Sequence, residues 1–260
     1  MKLTVLTENV AGGSFCAEHG LSYLIEHDEK TILLDTGHSD VFLKNASRLG
    51  FNLNEQVDQI VLSHGHWDHG DGLRYIQNKP LLTHPKSFMK RFRKHDHTNL
   101  GLRMSRQEVE KQFDLQVSAT PVQISKHIFF LAEIPRVNNF EAQMTAFVDE
   151  NGNEDFVPDD SALAFIENEA LIIVTGCSHS GICNICEYAK KISGVNHIKT
   201  VIGGFHLKQN NLQTKETINY FMREKVETIL PSHCTDLPAL AAFQNQFSNP
   251  FVKTGQTHQF

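Results

Sequence analysis

Residues 58 to 73, DQIVLSHGHWDHGDGL, impose the tightest constraint on this chain. The apolar run Ile60, Val61 and Leu62 stops at Ser63, and the next ten residues hold three histidines, two aspartates and three glycines. A buried strand ending there delivers its first polar side chains on rigid backbone, and Gly65, Gly70 and Gly72 permit turns and close approach that a Cβ would resist. His64, Gly65, His66, Trp67, Asp68 and His69 spell H-x-H-x-D-H. His64 and His66 can pinch one divalent ion while Asp68 and His69 reach a second; imidazole and carboxylate suit Zn, Mn or Fe(II). One histidine in a polar loop is an ordinary accident of composition. Four ligand-type residues in this order, directly after an apolar strand, are not.

Later motifs repeat the arrangement. In LIIVTGCSHSG, Cys177 and His179 follow the apolar run Leu171 to Val174; TVIGGFH ends at His206 and TILPSH at His233. The runs LSYLIEH and KTILLDTG read as a hairpin closed by Asp35, Thr36 and Gly37, and SALAFIENEALIIVTG reads as a second hairpin turning at Glu167 to Glu169. The second half thus repeats the plan of the first: paired strands, then a loop of candidate ligands. Helices are expected at 40–49, with Gly50 as the stop signal, at 73–78, at 181–193 and at 214–225. Strands are expected at 3–9 and 80–84, the latter ending at the isolated ligand candidate His84, with a further pair between 115 and 133. Residues 250–260 read as a closing strand or a tail.

The chain has 260 residues, 40% of them hydrophobic, enough to bury a large core. Without a repeat, a low-complexity tract or a flexible linker, a single domain over residues 1–260 is the economical expectation. A net charge of −6 argues against a general nucleic-acid or membrane-surface partner, which needs a basic excess. The opening MKLTVLTENV reads as a strand rather than a signal segment, so a cytoplasmic protein is expected. Five cysteines, an odd number, then imply reduced thiols. Cys183 and Cys186 form a C-x-x-C in a helical stretch and read as two buried apolar thiols.

Charge is locally reversed between residues 86 and 106, where Lys86, Lys90, Arg91, Arg93, Lys94, Arg103 and Arg106 face a single Asp96. Two explanations stand: a solvated helix face, or groups that bind an anionic substrate, for which Arg and Lys are the usual partners. Arg91 and Arg93 are the candidates there. Arg136, in EIPR, is either an anion ligand or a buried pairing residue.

HGHWDHG resembles the H-x-H-x-D-H signature of the metallo-β-lactamase superfamily. That resemblance implies a four-layered αββα sandwich of α/β class with a one- or two-metal site at one edge of the sheets. EIPR with FE shortly after, DDSAL, TGCSHSGI, GGFHL and PSHCT further resemble the branch that includes the archaeal dihydropterin ribofuranosylaminobenzene phosphate synthase, over nearly the whole chain. Relatives often insert a substrate-covering element where this chain carries its basic segment, at about residues 84–135.

Two sites of three or four ligands need about six or seven donors. The preferred partition puts His64, His66 and His179 on one ion and Asp68, His69 and His233 on the other, with Zn the preferred metal and Fe or Mn as alternatives. His206 is either a ligand or a group facing the substrate. Many superfamily members carry a bridging aspartate after a T-G pair, whereas here Thr175 and Gly176 precede Cys177. Cys177 can ligate as a thiolate, Asp160 is another carboxylate, and Asp35 is expected to orient the metal loop.

The function this implies is metal-dependent chemistry on a phosphorylated or otherwise anionic small molecule. It is either a metallo-hydrolase or the related synthase, with Asp68 holding the reacting water and His206 donating a proton. A non-catalytic metal or ligand sensor on the same fold is the alternative.

Overall fold

The computed structural model describes residues 1–260, which form two compact units. The first comprises Met1–Ala119, Thr145–Asp159 and Lys253–Gln259, and the second Thr120–Met144 with Asp160–Val252 and Phe260.

The first unit is built on a seven-stranded sheet. Its spatial order is Thr257–Gln259, Lys2–Thr7, Ser22–His27, Lys30–Leu34, Gln59–Val61, Pro80–Thr83 and Asp114–Val117. The first three junctions are antiparallel and the last three parallel. The expected hairpin is present, with Tyr23 opposite Leu34 and His27 opposite Lys30. Side chains alternate across a strand, yet Leu24 and Ile25 are both buried, as are Leu33 and Leu34, so these strands are covered on both faces. One face packs Leu6, Leu24, Leu33, Ile60 and Leu81 against Phe42 and Ala46 of the helix Val41–Arg48. That helix ends before Gly50, whose φ of +83° suits a residue without a Cβ.

The second unit carries a six-stranded sheet in the order Thr228–Ser232, Ile198–Gly204, Ala170–Thr175, Ala162–Glu167, Ile128–Phe130 and Val122–Ser125. Its first two junctions are parallel and the rest antiparallel. The helices Ile182–Ser193, Leu212–Glu224 and Leu237–Phe247 bury Ile185, Cys186, Phe221 and Phe243 against Ile173, Val201 and Ile229.

In each unit the parallel strands run in one direction, so their C-terminal ends share one edge of the sheet. Asp35, Ser63 and His84 lie just past those ends in the first unit. Gly176, Phe205 and His233 do so in the second.

Several elements depart from the sequence reading. The strand pair expected around Ser125 and Lys126 is present as the hairpin Val122–Ser125 and Ile128–Phe130, but the start of that stretch, Asp114–Val117, is a separate strand that pairs in parallel with Pro80–Thr83 in the other sheet. The turn expected as a helix at 73–78 is a tighter 3₁₀ segment, Asp71–Tyr75. The closing segment is a strand, Thr257–Gln259, antiparallel to the first. No helix is long and apolar enough to cross a membrane.

Candidate metal centre

In the first unit the strand Gln59–Val61 hands over to Ser63, and Asp35 governs the loop beyond it. Asp35 occupies the left-handed region at φ +57° and is fully buried. Its Oδ1 accepts from the Ser63 backbone N–H at 2.7 Å, and its Oδ2 accepts from the Ser63 hydroxyl at 2.7 Å and meets His69 Nδ1 at 2.6 Å. One carboxylate therefore pins both ends of the loop. With Nδ1 committed as donor, His69 keeps Nε2 as the nitrogen whose lone pair a cation can use.

Close backbone approach explains two of the glycines. A Cβ on Gly65 would lie 1.8 Å from the Ser87 carbonyl oxygen, and one on Gly72 would lie 2.0 Å from that of Thr36. The Gly65 N–H donates to Asp159 Oδ2 at 2.7 Å. A one-turn helix, Trp67–Gly70, then presents Asp68 and His69.

His64 Nε2 and His66 Nδ1 stand 3.0 Å apart, and the His64 and His69 ring centroids 4.3 Å apart. Two imidazole nitrogens bound to one tetrahedral Zn would be separated by about 3.3 Å, so the pair is placed to share an ion. His69 Nε2 lies 4.0 Å from Asp68 Oδ2. Burial, then the neighbouring His69 and His66, drives the His64 pKa well below its ordinary value. Burial, then Arg91, lowers that of His66 to about 3. Both imidazoles are thus neutral, the state that ligates metal, and the donor set fits a divalent ion.

The second unit carries its own donors past the strand ends. Ser178, His206 and His233 all adopt left-handed φ, at +56°, +51° and +50°, which turns the chain sharply after each strand. Ser178 Oγ donates to the Gly204 carbonyl at 2.7 Å, tying the turn to the neighbouring strand. The His179 and His206 ring centroids are 4.3 Å apart. Cys177, His233 and Cys234, all buried, bring one ligand atom each to within 4.8 Å of one another. Asp160 Oδ2 accepts from the Ser180 N–H at 2.9 Å and its hydroxyl at 2.7 Å, while burial lifts the Asp160 pKa to about 6.

The family model of the metallo-beta-lactamase superfamily matches residues 17–190. The chain belongs to the metallo-β-lactamase superfamily. It is 36% identical over 247 residues to an uncharacterized protein of Methanocaldococcus jannaschii, covering 92% of each chain. It is 35% identical over 276 residues to that organism's 7,8-dihydropterin-6-methyl-4-(beta-D-ribofuranosyl)-aminobenzene-5'-phosphate synthase, covering 97% of this chain and 94% of that one. The crystal structure of a metal-dependent hydrolase of the β-lactamase superfamily is 29% identical with a TM-score of 0.87, covering 100% of this chain and 99% of that one. A diphosphatase of the PhnP family, 15% identical with a TM-score of 0.58 over 100% and 97%, is alike in fold alone. The fold class expected from the sequence, the metallo-β-lactamase sandwich, is the one these likenesses show, and so is the branch.

Within this superfamily member the basic segment differs from the sequence expectation at Arg91. Its guanidinium is fully buried, with Nε 3.1 Å from Asp155 Oδ2 and Nη2 2.6 Å from Asp159 Oδ1, so it is an internal brace rather than an exposed anion ligand. Burial opposes the charge on Asp159, but Arg91 and the Gly65 N–H outweigh it and hold that carboxyl below its usual range. Arg93 is partly exposed and pairs with Asp96 at 3.1 Å. The strand Arg91–Arg93 pairs with Phe147–Asp149, so this stretch is a ribbon and not a helix face. His84 uses Nδ1 to accept from the Lys86 N–H at 3.1 Å. Arg136 is half-buried and bears electrostatically on Asp160.

Some participants escape sequence reasoning. Asp159 and Asp155 look like turn residues until Arg91 is seen between them. Cys234 is visible only as part of PSHCT. The glutamate of the FE motif, Glu141, accepts from the Cys183 and Asn184 N–H groups, both at 3.0 Å, and so closes the start of the helix Ile182–Ser193. Cys183 and Cys186 are buried there, and burial pushes both thiols well up, as fits apolar core thiols.

Proposed function

We propose that this chain is a metal-dependent enzyme acting on a phosphorylated or otherwise anionic small molecule, either joining two such molecules as the synthase it resembles does or hydrolysing one. The observation that carries this reading is the Asp35-anchored loop, which holds His64, His66, Asp68 and His69 as an ordered donor set. The 35% identity to the synthase over nearly the full length of both chains supports the substrate class.

His64, His66, Asp68 and His69 would hold one or two divalent ions, Zn preferred, with His179 and His233 as further ligands assigned from the order of the motifs. A bound ion would supply Lewis acidity toward a phosphate or diphosphate oxygen. Around it, Asp68 holds a water or substrate hydrogen, and His206 donates a proton to the leaving oxygen. Cys177 and Asp160 are reserve donors, and Arg136 and Arg93 are the cations left to recognise an anion.

The test is metal analysis of the purified protein, followed by turnover with and without chelator. Substrates would be the dihydropterinylmethyl diphosphate and aryl amine phosphate pair, phosphodiesters, lactones and thioesters. Chelator-sensitive turnover of a phosphorylated substrate supports the proposal. His66→Ala should lower metal content and turnover together. Tightly held metal with no turnover of any substrate would instead point to a sensor.

A further inference from the structure

Beside the Asp68 carboxylate stands a histidine that no motif marks. His19 Nε2 lies 3.2 Å from Asp68 Oδ2, and its side chain is 58% exposed against 11% for that of Asp68. The residues flanking His19 are fastened. Glu18 Oε1 accepts from the His38 and Ser39 N–H groups at 2.9 and 3.1 Å, and the Leu21 N–H donates to the Asp68 carbonyl at 3.2 Å. Gly20 presses so closely that a Cβ there would lie 2.9 Å from the same carbonyl. The ring is also walled by Trp67, with centroids 5.6 Å apart, and Trp67 is itself met edge-on by His38 at 4.7 Å.

The proton on His19 can be located by tracing the donors. A backbone N–H only donates, so the Gly20 N–H, 3.2 Å from Asn9 Oδ1, identifies that atom as the amide oxygen. The other end of the Asn9 amide is then an NH₂ group, and it faces His19 Nδ1 at 3.4 Å. Nδ1 therefore accepts, which places the ring N–H on Nε2, directed at Asp68. The order is Gly20 to Asn9 to His19 to Asp68, with each donor fixed by the one before.

We infer that His19 is a positioning residue of the metal centre: its Nε2–H holds Asp68 Oδ2 in place, in a tautomer set by Asn9. The inference rests on the proposed role of Asp68 as a metal ligand. It adds a partner for that carboxylate, as Asp35 is the partner for His69. Groups that orient metal ligands typically change affinity by about 10–100-fold when removed.

The test titrates the metal-free full-length protein with Zn(II), and separately with Mn(II), by calorimetry, for wild type, His19→Leu, His19→Gln and Asn9→Ala. Melting of each metal-free variant is recorded alongside, and variants that melt with the wild type are compared. The expected result is a ~10–100-fold weaker dissociation constant for His19→Leu. Most of that loss should be restored in His19→Gln, whose amide keeps an N–H within reach of Asp68, and Asn9→Ala should fall between. Equal affinity in wild type and His19→Leu overturns the inference, and so does a His19→Gln no better than His19→Leu, because packing alone would then explain the residue. A wild type that binds neither ion overturns the proposed function itself, which separates that failure from this one.

Discussion

The Asp35 carboxylate and His69 Nδ1 meet at 2.6 Å with both side chains fully buried. That contact decides which histidine nitrogen is available to a cation, and the same carboxylate holds Ser63 at the start of the loop. Asp35→Asn keeps the shape but replaces one acceptor oxygen with a donor. We expect metal affinity to fall by ~10–100-fold and stability by about 1–3 kcal/mol, read by metal titration and urea unfolding. Unchanged affinity would mean that the loop orders itself without the carboxylate.

Arg91 and Arg93 belong to one short strand but should behave oppositely. Arg91→Ala strands Asp155 and Asp159 without their buried partner, and removing one member of such a pair typically costs about 3–5 kcal/mol. Arg93→Ala disturbs only an exposed pair, worth about 0–1 kcal/mol. Urea unfolding of the two variants checks this; a mild Arg91→Ala would show that the aspartates find other partners.

Asp160 gives the protein a pH signature. Its pKa is raised by burial to about 6 from the ordinary value of 3.8, so between these values the folded protein keeps a proton that the unfolded chain has released. Stability therefore falls as pH rises from about 4 to above 6 and then levels, by at most about 3 kcal/mol from this group. Asp160→Asn retains an acceptor for Ser180 and cannot ionise, so unfolding curves of the metal-free variant should lose that slope. Parallel curves for variant and wild type would contradict the assignment.

Gly65→Ala places a methyl where the Ser87 carbonyl already stands. Overpacking commonly costs about 1–3 kcal/mol, and backbone cannot swing away as a side chain can, so the upper end or more is expected. Metal affinity should fall with it, since displacing Gly65 moves both His64 and His66. A stable Gly65→Ala with full affinity would show that the Ser87 turn yields.

Much of this is legible in the sequence because it is local. HGHWDHG, the hairpins and the strand-end histidines at 179, 206 and 233 are short-range patterns, and hydrophobic runs bounded by turn residues mark them directly. Asp35 is legible through its D-T-G context. The hidden parts depend on distant partners. Arg91 finds Asp155 and Asp159 more than sixty residues on, and a run of basic residues reads the same whether its members face water or a buried carboxylate. His19 is a single histidine in a polar loop, and nothing in its neighbourhood announces Asp68. The helix Leu237–Phe247 escapes a sequence reading because Ala239, Ala241 and Ala242 spread apolar character around it, beyond the side that Leu240, Phe243 and Phe247 share.

The shared direction of the parallel strands in each sheet has an evolutionary corollary. The candidate donors sit past the C-terminal ends of those strands, while the strand interiors are mostly apolar packing side chains. Substitutions beyond Ser63, Gly204 or Ser232 that spare closely packed positions such as Gly65 and Gly72 can therefore alter reactivity without renegotiating how the strands pair. Laboratory selection for new substrates should accumulate its accepted changes in those rims and leave the strands themselves nearly untouched.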